Sequence, residues 1–260
     1  MEKKVFGKGK YIDNEMLITS YDNAYAHMKM DIRAYQLHAQ EELTFTSEKE
    51  EIVVLLLNGD IDIIVGKQKV HAKRSSVFLD DPYAAHVCRS GVITIKTHKD
   101  SEILVQKAVN EKSFVSKIYT PKDIHWHNAY EGKWNNSANR YVNTIIDHEI
   151  NEKSNFVLGE IRNRSGNWSG YLPHRHPQVE CYFFLFDHEA GFGASFIDDD
   201  VYKSVNYSYA VIPGGSLHPQ VCAPGFQMYT CWIIRHDEDH PWLQTDRNEE
   251  ARYTWLHDVD

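Results

Sequence analysis

Helical periodicity is scarce in this 260-residue chain, and several other absences narrow what it can be. No window of about 18 apolar residues occurs, so no membrane-crossing helix is expected. The start, Met1-Glu2-Lys3-Lys4-Val5-Phe6-Gly7, lacks the apolar core of a signal peptide, and a cytoplasmic address is the expectation. The four cysteines (Cys88, Cys181, Cys222, Cys231) include no Cys-x-x-Cys pair, and they read as small buried hydrophobes in a reducing compartment. Lys and Arg form no block or stripe, and the net charge is −9 with His neutral. Together with the lack of a helix-turn-helix pattern, this excludes a nucleic-acid footprint. No membrane partner is expected either. An anionic ligand would need local cations of its own.

What recurs instead is short runs of alternating or β-branched residues, punctuated by Gly, Asn, Asp and Pro. Strands are expected at Val92–Thr97, Ile103–Val109, Tyr141–Ile146, Phe156–Arg162, Val179–Phe186, Tyr209–Ile212 and Met228–Ile234. Ile52–Val65 reads as a hairpin, because Asn58-Gly59 between two apolar runs is a strong two-residue turn signal. Its first arm, apolar at every position, implies burial on both faces, between lobes or at a dimer interface; a homo-oligomer is expected. The polar stretch from about Tyr130 to Asn139 divides the chain nearly in half. The expectation is an all-β chain of two barrel-like lobes, residues 1–135 and 136–260, with similar outlines that hint at a duplicated β unit. The acidic tail around Asp246–Asp260 reads as a short helix or an extended arm.

One constellation carries chemistry. In Pro173-His174-Arg175-His176-Pro177-Gln178-Val179-Glu180, strand alternation puts His174, His176 and Glu180 on one face, with Pro177 adjusting the reach of Glu180. A later Pro213-Gly214-Gly215-Ser216-Leu217-His218 supplies another imidazole just after a tight turn. Three nitrogens and one carboxylate oxygen suit zinc, manganese, iron or nickel better than magnesium or calcium. A rival, His125-Trp126-His127 with Glu131, opens into polar turn residues and has no following Pro-Gly-His box, so it reads as surface or packing. His38 and His86 belong to no His-x-His pair, Glu41-Glu42 reads as a solvated charge pair, and the first lobe is expected to be metal-free. Asp198 to Asp200 read as a solvated hairpin turn.

These two stretches resemble the two motif boxes of the cupin fold, which implies a bicupin of two tandem jelly-roll barrels. Gly166-Asn167-Trp168-Ser169-Gly170-Tyr171-Leu172-Pro173-His174-Arg175-His176 is similar to the metal box of 5-deoxyglucuronate isomerases, the cupin enzymes of myo-inositol catabolism. The likeness continues through Gly191-Phe192-Gly193, Pro213–Pro219, Ala223-Pro224-Gly225-Phe226 and Met228-Tyr229, covering about residues 140 to 245 well and the first half in outline. Glu180–Asp187 and Tyr229-Thr230-Cys231-Trp232 look as much like the related 4-deoxy-5-ketouronate isomerases of pectin breakdown. Ala194-Ser195 stands where the inositol branch tends to carry Gln-Arg, and the spacer from His176 to Glu180 is shorter than usual there.

The resemblance implies a divalent-metal aldose–ketose isomerase (Zn, Mn or Fe) converting 5-deoxy-D-glucuronate to 5-dehydro-2-deoxy-D-gluconate. The pectin-branch reaction and an iron-dependent cupin dioxygenase are the alternatives, and a non-enzymatic sugar-binding cupin ranks last. Isomerisation passes through an enediol, so a metal to polarise the carbonyl and a general base are needed. The base is not readable in the sequence. Tyr182 shares parity with Glu180 and, with Tyr229, is a candidate for substrate hydroxyls. Arg162 and Arg247 are candidate partners for the substrate carboxylate, Arg247 on condition that the C-terminal arm folds over the barrel mouth. Arg175, between two inward ligands, is expected to point away.

Overall fold

The computed structural model describes residues 4–236 and 240–259. Met1–Lys3, from the stretch read for a signal peptide, and Asp260 of the tail lie outside them. The fold is all-β, as expected. Among the described residues no helix is long and apolar enough to cross a membrane. The chain forms two compact units, one of residues 9–124 and 148–155, the other of residues 1–8, 125–147 and 156–260. They are called the first and second lobe below.

In the first lobe an antiparallel sheet runs in the order Lys117–Tyr119, Ala84–Val87, Glu50–Val65, Ser101–Val109, Asp31–Leu37, Glu15–Thr19. The expected hairpin at Ile52–Val65 is corrected here: Glu50–Val65 is one continuous strand of 16 residues. Up to Asn58 it pairs with Ser101–Val109 and Ala84–Val87; from Gly59 onward it pairs with Gln68–Arg74, and Ile61–Val65 also with Val92–Thr97. The register shifts between Leu56 and Asn58 where the neighbours change. Gly59 has φ +130, and a Cβ there would stand 2.1 Å from the Ser101 hydroxyl, so glycine serves a close crossing and not a turn. This bulge changes parity. Ile52, Val54 and Leu56 before it, and Ile61, Ile63 and Val65 after it, therefore all face one core. Asn-Gly misleads because each apolar half finds its own neighbours and neither folds back on the other. The reversal comes at Gly66-Lys67, a two-residue turn with Gly66 at φ +57. Ile52 to Leu57 are fully buried on both faces within the single chain.

In the second lobe a seven-stranded antiparallel sheet runs Phe6–Lys8, Ser208–Ile212, Glu180–Phe186, Met228–Arg235, Phe156–Asn163, Arg140–Ile146, His127–Ala129. A four-stranded sheet holds Trp168–Ser169, Gln220–Cys222, Phe192–Ile197 and Asp200–Val205. The core between them includes Val157, Tyr182, Phe184, Ile197, Ala210, Ile212, Cys222, Trp232 and Ile234. Every residue of Glu180–Phe186 is buried, so this central strand is the floor on which the site is built. The edge strand Phe6–Lys8 has no alternating pattern of its own; the stacking of Phe6 on Tyr202, centroids 5.1 Å apart, holds it there. The tail is an arm and a helix at once: Asn248–Glu249 is a short strand, and Ala251–Asp258 is a 3-10 helix.

Removing the buried ring in Phe184→Ala lowers the unfolding free energy by about 3–5 kcal/mol in denaturant melts, from lost apolar burial plus cavity. Val201→Ala, at a side chain 57% exposed, changes it by less than about 0.5 kcal/mol in the same melts.

Candidate metal centre

Three segments of the second lobe bring His176, Glu180 and His218 together, with the His174 ring beside them. His174–Arg175 is a two-residue strand paired with Asn248–Glu249 of the C-terminal arm. That pairing sends Arg175 outward to Glu250 at 2.6 Å and leaves His174 buried. After Pro177 the chain enters Glu180–Phe186, with Glu180 as its first residue. The third segment is the Pro213–His218 turn, which lies backbone to backbone against the first. The Gly215 N–H donates to the His176 carbonyl at 2.7 Å, and a Cβ on Gly214 would lie 1.8 Å from the Pro177 carbonyl oxygen. No larger residue fits at Gly214, and the closeness it permits sets His218 beside His176. Asp198 and Asp199 form the exposed hairpin turn expected there, and Asp198 also reaches Leu217: its carboxylate accepts from the Leu217 N–H at 2.9 Å, and its own N–H donates to the Leu217 carbonyl at 2.8 Å. It anchors the residue before His218.

One ligand atom from each of His176, Glu180 and His218 lies within 4.8 Å of the others, and all three residues are buried. The His174 ring stands 4.7 Å from that of His218 and 6.3 Å from that of His176. Proton placement follows from the backbone. Nδ1 of His174 lies 2.9 Å from the Leu172 carbonyl, Nδ1 of His176 lies 3.1 Å from that of Gln178, and Nδ1 of His218 lies 2.8 Å from that of Ser216. A carbonyl only accepts, so Nδ1 of His176 and of His218 donates to it, and Nε2 of each of these two rings is turned toward Glu180, 3.2 Å from the same carboxylate oxygen. Burial alone would raise the Glu180 pKa, but hydrogen bonding to His176 and His218 and their electrostatic attraction outweigh burial and hold the carboxyl at about 2, so it is ionised at neutral pH. Burial, with the Arg247 guanidinium and the His218 ring, keeps His174 well below the usual imidazole range and therefore neutral.

The result is a cluster of imidazole nitrogens and one carboxylate turned toward a common place and closed off from water, a donor set that can receive a cation. The spacing suits one: two ligands about 2.1 Å from a tetrahedral ion stand about 3.4 Å apart. His176, Glu180 and His218, with His174 beside them, fit a divalent transition metal on their donor chemistry.

The other candidates divide by sheet face. Tyr182 faces inward above Glu180, its ring 5.9 Å from that of His218, and burial followed by the Glu180 charge pushes its phenol well above 10; it stays a hydroxyl. Tyr229 lies on the opposite face, where its hydroxyl donates to Glu160 at 2.7 Å. Arg162 pairs with Tyr229 in register and lies 4.2 Å over the Trp126 ring, on that same far face. Arg247 is brought in: the arm folds back along His174, and the guanidinium comes within 3.3 Å of the His174 ring. The rival histidines are elsewhere; His125, His127 and Glu131 are exposed, and Glu131 accepts from Asn128. In the first lobe, His38 is exposed, whereas His86 is buried with its Nε2 2.9 Å from Glu51.

Arg140 was not legible as a site residue. It opens a strand that the apolar pattern begins at Tyr141, yet its side chain is buried, with its two terminal nitrogens donating to the Ala138 and Tyr171 carbonyls at 2.9 and 3.1 Å. Burial and the nearby Arg247 lower its pKa to about 10, so it remains charged. Among the described residues neither arginine has a carboxylate partner, and the Nε of each is shut from solvent without a hydrogen bond. Trp242, also unmarked by the sequence, packs its ring 6.3 Å from His176 and 5.8 Å from Trp232, walling the site with apolar surface.

Antiparallel sheets enclosing an imidazole–carboxylate cluster define a cupin. The chain belongs to the KduI/IolB family, whose model matches residues 7–255. Curated relatives include the 5-deoxy-glucuronate isomerases of Bacillus subtilis strain 168, 23% identical over 90% of this chain and 93% of that protein, and of Geobacillus thermodenitrificans, 22% identical over 82% and 85%. The chain is an isomerase of this family. Among solved structures, an IolB-like protein from Salmonella typhimurium LT2 superimposes with a TM-score of 0.87 at 16% identity, covering 98% of this chain and 99% of that one. The oxalate decarboxylase of Lactobacillus farciminis, solved as a formate complex, does so with a TM-score of 0.68 at 9% identity, covering 100% and 92%. These two likenesses speak for the fold alone.

Gly214→Ala, which forces apart the two backbones at the site, lowers stability by about 1–3 kcal/mol in thermal or denaturant unfolding. An unchanged melting curve would contradict the close approach described.

Proposed function

We propose that the second lobe holds a divalent metal on His174, His176, Glu180 and His218 and isomerises a deoxy-uronic acid, 5-deoxy-D-glucuronate, to 5-dehydro-2-deoxy-D-gluconate. The observation that carries this is the convergence of the His176 and His218 Nε2 atoms on an ionised carboxylate at one buried place, with His174 beside them. A bound ion supplies Lewis-acid polarisation of a carbonyl and its neighbouring hydroxyl, which eases loss of the proton on the carbon between them. Zinc, manganese and iron all suit the donor set.

The protein's own groups account for the rest of the binding. Arg140 and Arg247 are two charged guanidiniums without an internal carboxylate, beside Tyr182 and the imidazoles. They suit the carboxylate end of a sugar acid, which fork geometry receives in a bidentate way. The Tyr182 hydroxyl, protonated throughout the working range, is placed to donate to a substrate oxygen. Trp242 and Trp232 keep water from the reacting carbons. In the net reaction one carbon loses a proton and its hydroxyl becomes the new carbonyl; the adjacent carbon gains a proton and its carbonyl becomes a hydroxyl. No oxidant is consumed.

The names of the curated relatives support the 5-deoxy-glucuronate reaction over the pectin-branch one and over an oxygenase. A cytoplasmic enzyme fits the cysteines, all four of which are free thiols, three of them buried.

The expected outcome is that purified protein turns over 5-deoxyglucuronate in anaerobic buffer and that chelation removes both metal and activity. His176→Ala abolishes both, while Tyr229→Phe, on the far sheet face, retains its metal. Turnover only of a 4-deoxy-5-ketouronate moves the substrate to the other branch; strict oxygen dependence rejects isomerisation. Arg247→Ala and Arg140→Gln each lower kcat/KM roughly 10- to 100-fold, the scale of one or two lost charge-assisted hydrogen bonds, with metal content unchanged.

A further inference from the structure

A second cluster of ligand-type side chains lies in the first lobe, far in sequence from the centre described above. Beyond the bulge at Gly59, Ile61 and Ile63 face the core, so Asp60 and Asp62 emerge together on the other face of the strand. Register puts His71 of the neighbouring strand directly opposite Asp62. His98 comes from the turn after Val92–Thr97, pinned by its backbone N–H donating to the Asp60 carbonyl at 2.7 Å. One ligand atom each of Asp60, His71 and His98 lies within 4.8 Å of the others.

The supporting contacts resemble those of a built site more than a chance meeting of surface charges. Asp62, with a side chain only 7% exposed, holds both rings: one oxygen stands 3.3 Å from His71 Nδ1, and the other stands 3.0 Å from His98 Nε2 and 2.9 Å from the Lys69 ammonium. A carboxylate gripping one imidazole nitrogen fixes the tautomer and presents the other nitrogen as a ligand. For His71 that other nitrogen is Nε2, which faces Asp60 Oδ1 at 3.3 Å. This is the edge expected, about 3.4 Å, between two ligands of a tetrahedral ion. Asp60 Oδ1 itself is buried and has no hydrogen-bond partner. Two carboxylates against one ammonium leave the cluster net negative.

We propose that Asp60, His71 and His98 form a second divalent-metal site, oriented by Asp62 and selective for imidazole-seeking ions such as zinc, cobalt, nickel or copper. A metal there ties three strand segments of the first lobe together and revises the sequence expectation of a metal-free lobe. The His71 and His98 side chains are 57% and 45% exposed, so an ion reaches them from solvent and their replacement leaves the core untouched.

The test is a titration of full-length, chelator-stripped protein with Co2+ or Zn2+, following stoichiometry by calorimetry and, for cobalt, the visible spectrum. Wild type binds two equivalents per chain. The double variant His71→Ala/His98→Ala loses one and His176→Ala loses the other, while Asp62→Asn weakens the first-lobe equivalent about 10- to 100-fold, the effect of removing an orienting partner. If wild type binds only an equivalent that His176→Ala removes, or if the double variant titrates like wild type, the second site does not exist. A wild type that binds one equivalent, lost in the double variant, would instead uphold this site and reject the metal centre of the second lobe.

Discussion

The second lobe depends on one electrostatic constraint. Buried imidazole nitrogens and an ionised carboxylate face a common point. In an apolar barrel this arrangement is costly by itself, because each group has lost its water. The rings are held by their Nδ1 atoms against the Leu172, Gln178 and Ser216 carbonyls. These contacts are local, each to a residue two positions away, so ring orientation is built into the same turns that deliver the rings.

The surrounding fold serves that point. The fully buried strand Glu180–Phe186 fixes the carboxylate, and the Gly214 approach and the Asp198 anchor fix the His218 turn. The C-terminal arm adds the remaining side by pairing with His174 and carrying Arg247 inward. Arg140 approaches from the start of another strand, so two guanidiniums gather beside the cluster.

Much of this was legible in the sequence, for reasons that can be named. Strand limits such as Val92–Thr97, Met228–Arg235 and Phe156–Asn163 follow from alternation and β-branching and were found to within about two residues. The convergence of His176, Glu180 and His218, with His174 beside them, was legible because their spacing couples parity with turn chemistry. Tyr182 followed from Glu180 by parity alone. What misled was the Asn58-Gly59 pair: a dipeptide cannot tell a turn from a bulge when the neighbours of both strand halves lie far away in sequence. Arg140, Trp242 and the strand Phe6–Lys8 were missed for the same reason, since only long-range pairing gives them a role. Asp60, Asp62, His71 and His98 carry no motif at all; three strand segments must pair before they become neighbours.

The most direct test is anomalous diffraction from crystals of the protein as purified, collected above and below the absorption edges of zinc, iron and manganese. The account predicts one buried anomalous peak bonded to His174, His176, Glu180 and His218, with the Nε2 atoms toward it. Empty density among those four side chains in active, unchelated protein, or rings turned so that Nδ1 faces the common point, would contradict it.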